Sequence, residues 1–143
     1  MKTLHSAFRV SNVDRSLEFY TGVGYRELGR VVDGDLFLVM LNLPGDGDTV
    51  TLELAYERHQ LPIVRGNSFS HLVIQTDDIA ATMAGLQSRG IATSELDTHG
   101  ATNGPKTCFI EDPDGHRIEL VQWPAGHPKE MTRADFRKTP AAE

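Results

Sequence analysis

The sequence predicts an α+β fold in which two tandem βαβββ units form a concave mixed sheet. Three observations predict it. HSAFRVSNVDRSLEFY, beginning at His5, aligns without a gap on HLVIQTDDIAATMAGL, beginning at His71, an offset of 66 residues. Both segments carry apolar residues at i, i+4 and i+7, the stripe of an amphipathic helix: Val13, Leu17 and Tyr20 in one, Ile79, Met83 and Leu86 in the other. TLELAY (51–56) and RIELVQ (117–122) each set two apolar residues around a glutamate, and Glu53 and Glu119 are again 66 residues apart.

Each unit opens with a strand, roughly 4–10 in the first and 70–76 in the second. His5, Ala7 and Arg9 share one side of the opening strand, which leaves Phe8 and Val10 to pack under the helix. His71, Val73 and Gln75 share the corresponding side in the second unit. The helices have polar starts, Asn12 and Asp14 in the first and Asp77 and Asp78 in the second, where a short side chain can accept an orphan backbone N–H; they end near Gly22 and Gly90. Three strands follow in each copy, YRELGR, DLFLVMLN and TVTLELAY, then IATSEL, KTCFIED and HRIELVQW. Pro113 and Gly115 make PDG a hairpin turn between the last two. The units span about 3–57 and 68–123 and compose a single domain, 1–123, with residues 58–67 as linker. The tail, 124–143, has too little apolar periodicity for core and is expected as a mobile arm or a surface-docked helix.

A chain of 143 residues is the usual size of one domain. No apolar run approaches the roughly 18 residues that cross a bilayer, and MKTLHSAFRV lacks the marks of a secretion signal, so a cytoplasmic protein is expected. Cys108, the single cysteine, excludes an intrachain disulfide and belongs in a strand core. The net charge of −6, with Lys and Arg scattered, argues against nucleic acid and leaves a small molecule as the partner.

His5, Glu53, His71 and Glu119 stand out as a set. A lone strand glutamate is ordinarily a solvent face, and His59, His99, His116 and His127 take that bland reading. Glu111, Asp112 and Asp114 read as turn chemistry. Solvation does not demand two copies of a His and a Glu at identical spacing, whereas carboxylates held together must be paired, protonated or bound to a cation. Imidazole with carboxylate suits zinc, nickel, cobalt, iron or manganese, and the absence of thiolates argues against a closed structural zinc site.

TLHSAFRV, SLEFYTGVGY, TLELAY, SHLVIQTDDI and especially FIEDPDGHRIEL resemble the vicinal oxygen chelate superfamily and, within it, the short bacterial type of glyoxalase I, lactoylglutathione lyase. The resemblance covers residues 2–123. It implies the glyoxalase/bleomycin resistance/dioxygenase fold, with His5, Glu53, His71 and Glu119 as ligands of a divalent metal, nickel or cobalt being favoured over zinc, manganese or iron. It also implies a homodimer with sites at the subunit interface. The implied reaction converts the hemithioacetal of methylglyoxal and glutathione into a thioester of D-lactate, a glutamate moving a proton through an enediolate; Glu119 is the first choice as base and Glu53 its symmetry-related alternative. Arg9 agrees with a family arginine that pairs with a glutathione carboxylate, and Lys106 is the nearest candidate for a second basic contact. The chain departs from the family in having Glu57 where an asparagine is frequent and in a shortened YTGVGY. Those departures leave another thiol open. The alternatives are an epimerase or dioxygenase of the same superfamily and a metal-free small-molecule binding protein.

Overall fold

The structure is a computed structural model and describes residues 1–136. Its elements are β1 (Ser6–Arg9), α1 (Val13–Val23), β2 (Arg26–Asp33), β3 (Leu36–Asn42), β4 (Leu52–Glu57), β5 (Leu72–Gln75), α2 (Ile79–Ser88), β6 (Lys106–Glu111) and β7 (Arg117–Gln122). They form an α+β architecture of two small sheets and two helices. One sheet has the order β1-β4-β3-β2, the other β5-β7-β6. Neither sheet closes into a barrel.

The repeat is visible in the strand pairing. In the first sheet β1 runs parallel to β4, with Ala7 opposite Glu53; in the second, β5 runs parallel to β7, with Val73 opposite Glu119. These partners are related by the same 66-residue offset as the sequence. Each unit therefore joins its first strand to its last, which brings side chains from the two ends of a unit onto one face.

Both helices begin where the short polar residues placed them. The Asn12 side chain accepts the Arg15 N–H, and the Asp78 side chain accepts the Ala81 N–H. Gly24 ends α1 at φ 123°, a conformation that favours glycine, and its N–H closes on the Tyr20 and Thr21 carbonyls. The apolar stripes face inward: Tyr20, Ile79 and Leu86 are buried, with Val13, Leu17 and Met83 packed around them. Phe8, Val10, Leu52, Leu54, Ile118 and Leu120 complete one core that draws on both units, and Cys108 is buried in it. Burial raises the Cys108 thiol pKa, which keeps it inert.

One expected strand is absent. Residues 91–97 run beside β6 without a ladder and touch it through the isolated bridge Asp97–Thr107 and through Ser94. The Ser94 hydroxyl accepts the Phe109 N–H while the Ser94 N–H donates to the Phe109 carbonyl. A side-chain oxygen takes the place that a backbone carbonyl holds in a regular ladder, and the pairing does not propagate. The second sheet consequently has three strands rather than four.

The PDG turn closes as expected, the Gly115 N–H donating to the Asp112 carbonyl with Gly115 at φ 83°. Asp112 itself is a structural centre. Its carboxylate accepts from the buried Tyr20 hydroxyl at 2.9 Å, from the His116 N–H at 2.7 Å and from the Asp114 N–H at 3.0 Å, and it lies 2.9 Å from His116 Nδ1. Burial alone would raise this carboxyl, but the hydrogen bonds from His116 and Tyr20 outweigh it and hold the group below the usual carboxylate range. The network links α1 of the first unit to the last hairpin of the second.

The linker and the start of the tail are tied down. Gln60 Nε2 donates to the Val10 carbonyl, and Arg65 Nη1 to the Gly115 carbonyl. In the tail, Trp123 stacks on His127, Lys129 pairs with Asp77 at 2.7 Å, and residues 133–136 form a short 3-10 turn. The described tail is thus docked by local contacts rather than by a long helix, and residues 137–143 lie outside the described residues.

Candidate functional site

Two matched pairs mark the site. His5 Nε2 lies 2.9 Å from Glu53 Oε2, and His71 Nε2 lies 3.0 Å from Glu119 Oε2. Each histidine stands one residue before the first strand of its unit, and each glutamate sits on the last strand between two buried apolar residues. Parallel pairing and strand alternation together explain the contact: the core takes Leu52, Leu54, Ile118 and Leu120, so the intervening glutamates face away from it, toward the histidines.

The four residues meet two by two. The pairs belong to different sheets, and among the described residues no third His, Cys, Asp or Glu joins either pair as a metal-binding group. Neither pair is sealed from water. The side chains retain 27% and 15% of their accessible surface in the first pair and 29% and 19% in the second. Val73, which faces Glu119 across the sheet, is 52% exposed. Both glutamates are therefore open to water on one side within a single chain.

Chemically, an imidazole nitrogen and a carboxylate oxygen at such distances must share a proton or a cation, because two lone pairs do not attract. His71 is also held on its other side: its Nδ1 lies 2.7 Å from the Ser70 hydroxyl while Nε2 faces Glu119. The His71 ring also packs edge-on against Phe109, and Arg117 lies over Phe109 at 4.2 Å, fixing the ring plane. The donor set, two imidazoles and two carboxylates without thiolate, fits a hard to borderline divalent metal.

Arg9 and Lys106 have different settings. Arg9 shares the face of His5 on β1, lies 3.7 Å from Glu57 and donates to Gln60 at 3.4 Å. It lines a cavity of about 980 Å³ between β1, the linker and the last hairpin turn. Lys106 opens β6 on the same side as Cys108 and Ile110, whereas Phe109 is the β6 residue opposite Glu119. It lines a separate cavity of about 550 Å³ with Asn103, Gln122 and Trp123. Sequence reasoning did not anticipate Ser70, Phe109 and Arg117 around His71. The adjacency of Ser70 to His71 was the one available signal, since the others come together only through strand pairing.

The chain is similar to known proteins along most of its length. Residues 2–120 match the Glyoxalase/Bleomycin resistance protein/Dioxygenase superfamily. A probable lactoylglutathione lyase of Vibrio cholerae is 35% identical over 132 residues, covering 88% of this chain and 94% of that protein. The lactoylglutathione lyase of Neisseria meningitidis is 31% identical over 136 residues, again 88% of this chain and 94% of that one. Among solved structures, the trypanothione-dependent glyoxalase I of Leishmania major superposes with a TM-score of 0.70 at 28% identity, over 85% of this chain and 86% of that one.

Proposed function

The chain belongs to the Glyoxalase/Bleomycin resistance protein/Dioxygenase superfamily, and from that premise we propose that it is a metal-dependent isomerase of the glyoxalase I type. It converts the hemithioacetal of methylglyoxal and glutathione to S-D-lactoylglutathione. The observation that carries this reading is the pair of His–Glu contacts in identical strand register, half a ligand set in each unit.

The proposed site is completed by a homodimer, in which His5 and Glu53 of one chain join His71 and Glu119 of the other. Those residues would hold a divalent ion, nickel or cobalt by preference, that polarises the substrate's neighbouring oxygens as a Lewis acid. The chain's own contribution is proton transfer. Glu119 takes the proton from the carbon bearing the thiol sulfur and returns it to the adjacent carbon, so the atoms of the hemithioacetal are conserved while its aldehyde-derived carbon becomes a thioester. Glu53 holds the equivalent place in the other half and serves as the alternative base. Because one relative is trypanothione-dependent, the thiol is the variable part of the substrate.

Thioester formation by metal-stripped protein, with nickel, cobalt or zinc added back separately, tests the reaction; activity is expected to return with nickel or cobalt. Turnover by the stripped protein would refute the metal's role, and tight metal binding without turnover would refute glutathione as the thiol. Complementation tests the shared site. His5→Ala and His71→Ala chains, each inactive, should regain about one quarter of wild-type activity when co-refolded, since a mixed dimer holds one intact site of two. No recovery would refute the shared site.

Ser70→Ala is expected to weaken metal binding by about tenfold through loss of the hydroxyl that orients His71, without changing the fold. Competition against a chromophoric chelator measures it, and an unchanged affinity would show that Phe109 packing alone orients the ring.

A further inference from the structure

The two His–Glu pairs share a register and nearly the same exposure, yet what surrounds them differs. The 66-residue offset sets Ser70 opposite Leu4, each directly before the histidine of its unit. Ser70 places its hydroxyl 2.7 Å from His71 Nδ1. Leu4 carries no polar side-chain atom and is 69% exposed, and the hydrogen bond of the His5 ring among the described residues is the one to Glu53. The strand facing each glutamate differs in the same sense. Glu119 is opposite Phe109, whose ring meets His71 edge-on at 5.6 Å and is itself covered by Arg117 at 4.2 Å. Glu53 is opposite Met40, an unbranched and adaptable side chain with no ring to hold a neighbour's plane. The residue two before Glu119 is Arg117; the residue two before Glu53 is Thr51, whose hydroxyl is bound to Asp46 at 2.7 Å. The His71 ring is thus held at Nδ1 and at its edge, whereas the His5 ring has neither support among the described residues.

A histidine that ligates through Nε2 is oriented by whatever meets its Nδ1, and such a partner is typically worth about 10–100-fold in metal affinity. A ring fixed beforehand also loses less freedom on binding than a free ring of the same kind. We infer that the two halves of the metal site are unequal: His71 is the anchoring ligand and His5 the closing one, so that a divalent cation is taken first by the second unit of one chain and then enclosed by the first unit of the other. Ser70 and Phe109 act as positioning residues for the anchor. The inference rests on the shared metal site proposed above and adds a division of labour that the repeat hides, since the sequence offset makes His5 and His71 equivalent. Exposure does not produce the ranking, because the pairs keep 27% and 15% of their side-chain surface in one unit and 29% and 19% in the other. The ranking comes from support alone.

The test is cobalt titration of metal-stripped full-length protein, followed by the visible absorption of the bound ion with no substrate present. His71→Ala should weaken cobalt binding at least about tenfold more than His5→Ala, the worth of the orienting partners lost with the ring. Both histidines are partly exposed and stand outside the regular strands, so neither change removes a core contact. Leu4→Ser gives the first unit the hydroxyl of the second. It should tighten cobalt binding by up to about tenfold and narrow the gap between the two alanine variants made in its background. A serine that served only to hold the chain at position 70 would confer nothing when placed at position 4. Equal losses in the two alanine variants, a greater loss in His5→Ala, or a Leu4→Ser chain that binds cobalt no more tightly than wild type would overturn the inference. Thioester formation by the wild-type protein is followed in parallel. The expected ranking without turnover would sink the isomerase reading and leave the unequal halves standing, whereas turnover with equal losses would do the reverse. A wild-type chain that binds no cobalt would overturn both.

Discussion

Glu119→Gln is expected to reduce thioester formation by about 10²–10⁴-fold, the range in which a positioned general base contributes, while metal affinity falls much less. The amide keeps the size of the side chain and one oxygen that can face a cation, but it cannot accept a proton. Its supports are independent of charge: Ile118 and Leu120 remain buried on either side, and the β5–β7 pairing that sets its direction is made by backbone. The variant should therefore fold and load normally, and stopped-flow measurement on the nickel-loaded protein isolates the chemical step. Glu53→Gln is the control. A larger loss in that variant than in Glu119→Gln would move the base to the first unit, and an unimpaired rate in both would show that neither carboxylate carries the proton.

Asp112→Ala should be among the most destabilising single changes, about 3 kcal/mol or more. It strips the partner from a buried Tyr20 hydroxyl and from the His116 and Asp114 N–H groups, and each stranded donor costs about 1–3 kcal/mol. Tyr20 offers no relief by ionising, because burial and then the nearby Asp112 charge push its phenol far up. For a chain of this length the loss corresponds to roughly 10 °C in Tm. Urea unfolding measures it, and a loss below about 1 kcal/mol would show that water replaces the carboxylate. The same group makes stability acid-sensitive. Since Asp112 is held below its ordinary pKa, its contribution is complete above the unfolded value near 4 and disappears as pH falls through the lower folded value. Asp112→Asn should unfold at lower urea near neutrality yet lose less stability than wild type on acidification below about pH 4.

Local signals in the sequence were reliable where one neighbourhood decides the outcome. Asn12 and Asp78 cap their helices because a cap needs only the next three residues, and Tyr20, Ile79 and Leu86 turn inward because helical periodicity is written within one helix. The repeat carried further, since an identical offset in His and Glu implies identical register, and both His–Glu contacts have it. What escaped depends on partners from elsewhere. Asp112 reads as a turn residue from its neighbours, and its bond to Tyr20 crosses 92 positions. Residues 91–96 occupy the place of a strand in the repeat, yet the Ser94 hydroxyl intercepts the pairing. Sequence order defines each unit but not how two units face each other, so the separation of the two His–Glu pairs onto different sheets had no signature along the chain.

Joining the first strand of each unit to its last also sets a timetable. His5 and Glu53 are 48 positions apart, so during synthesis at the usual rate β1 waits about 2–10 s before its partner strand exists. The β2–β3 hairpin can form from neighbouring residues in that interval, while β1, only four residues long, has no strand to lie against. Its docking closes a long loop and belongs to the slow, late class of folding events. The nascent first unit thus exposes the open flank of β4 until β1 arrives, and that flank is where chaperone dependence and strand-exchange errors are to be sought in this chain.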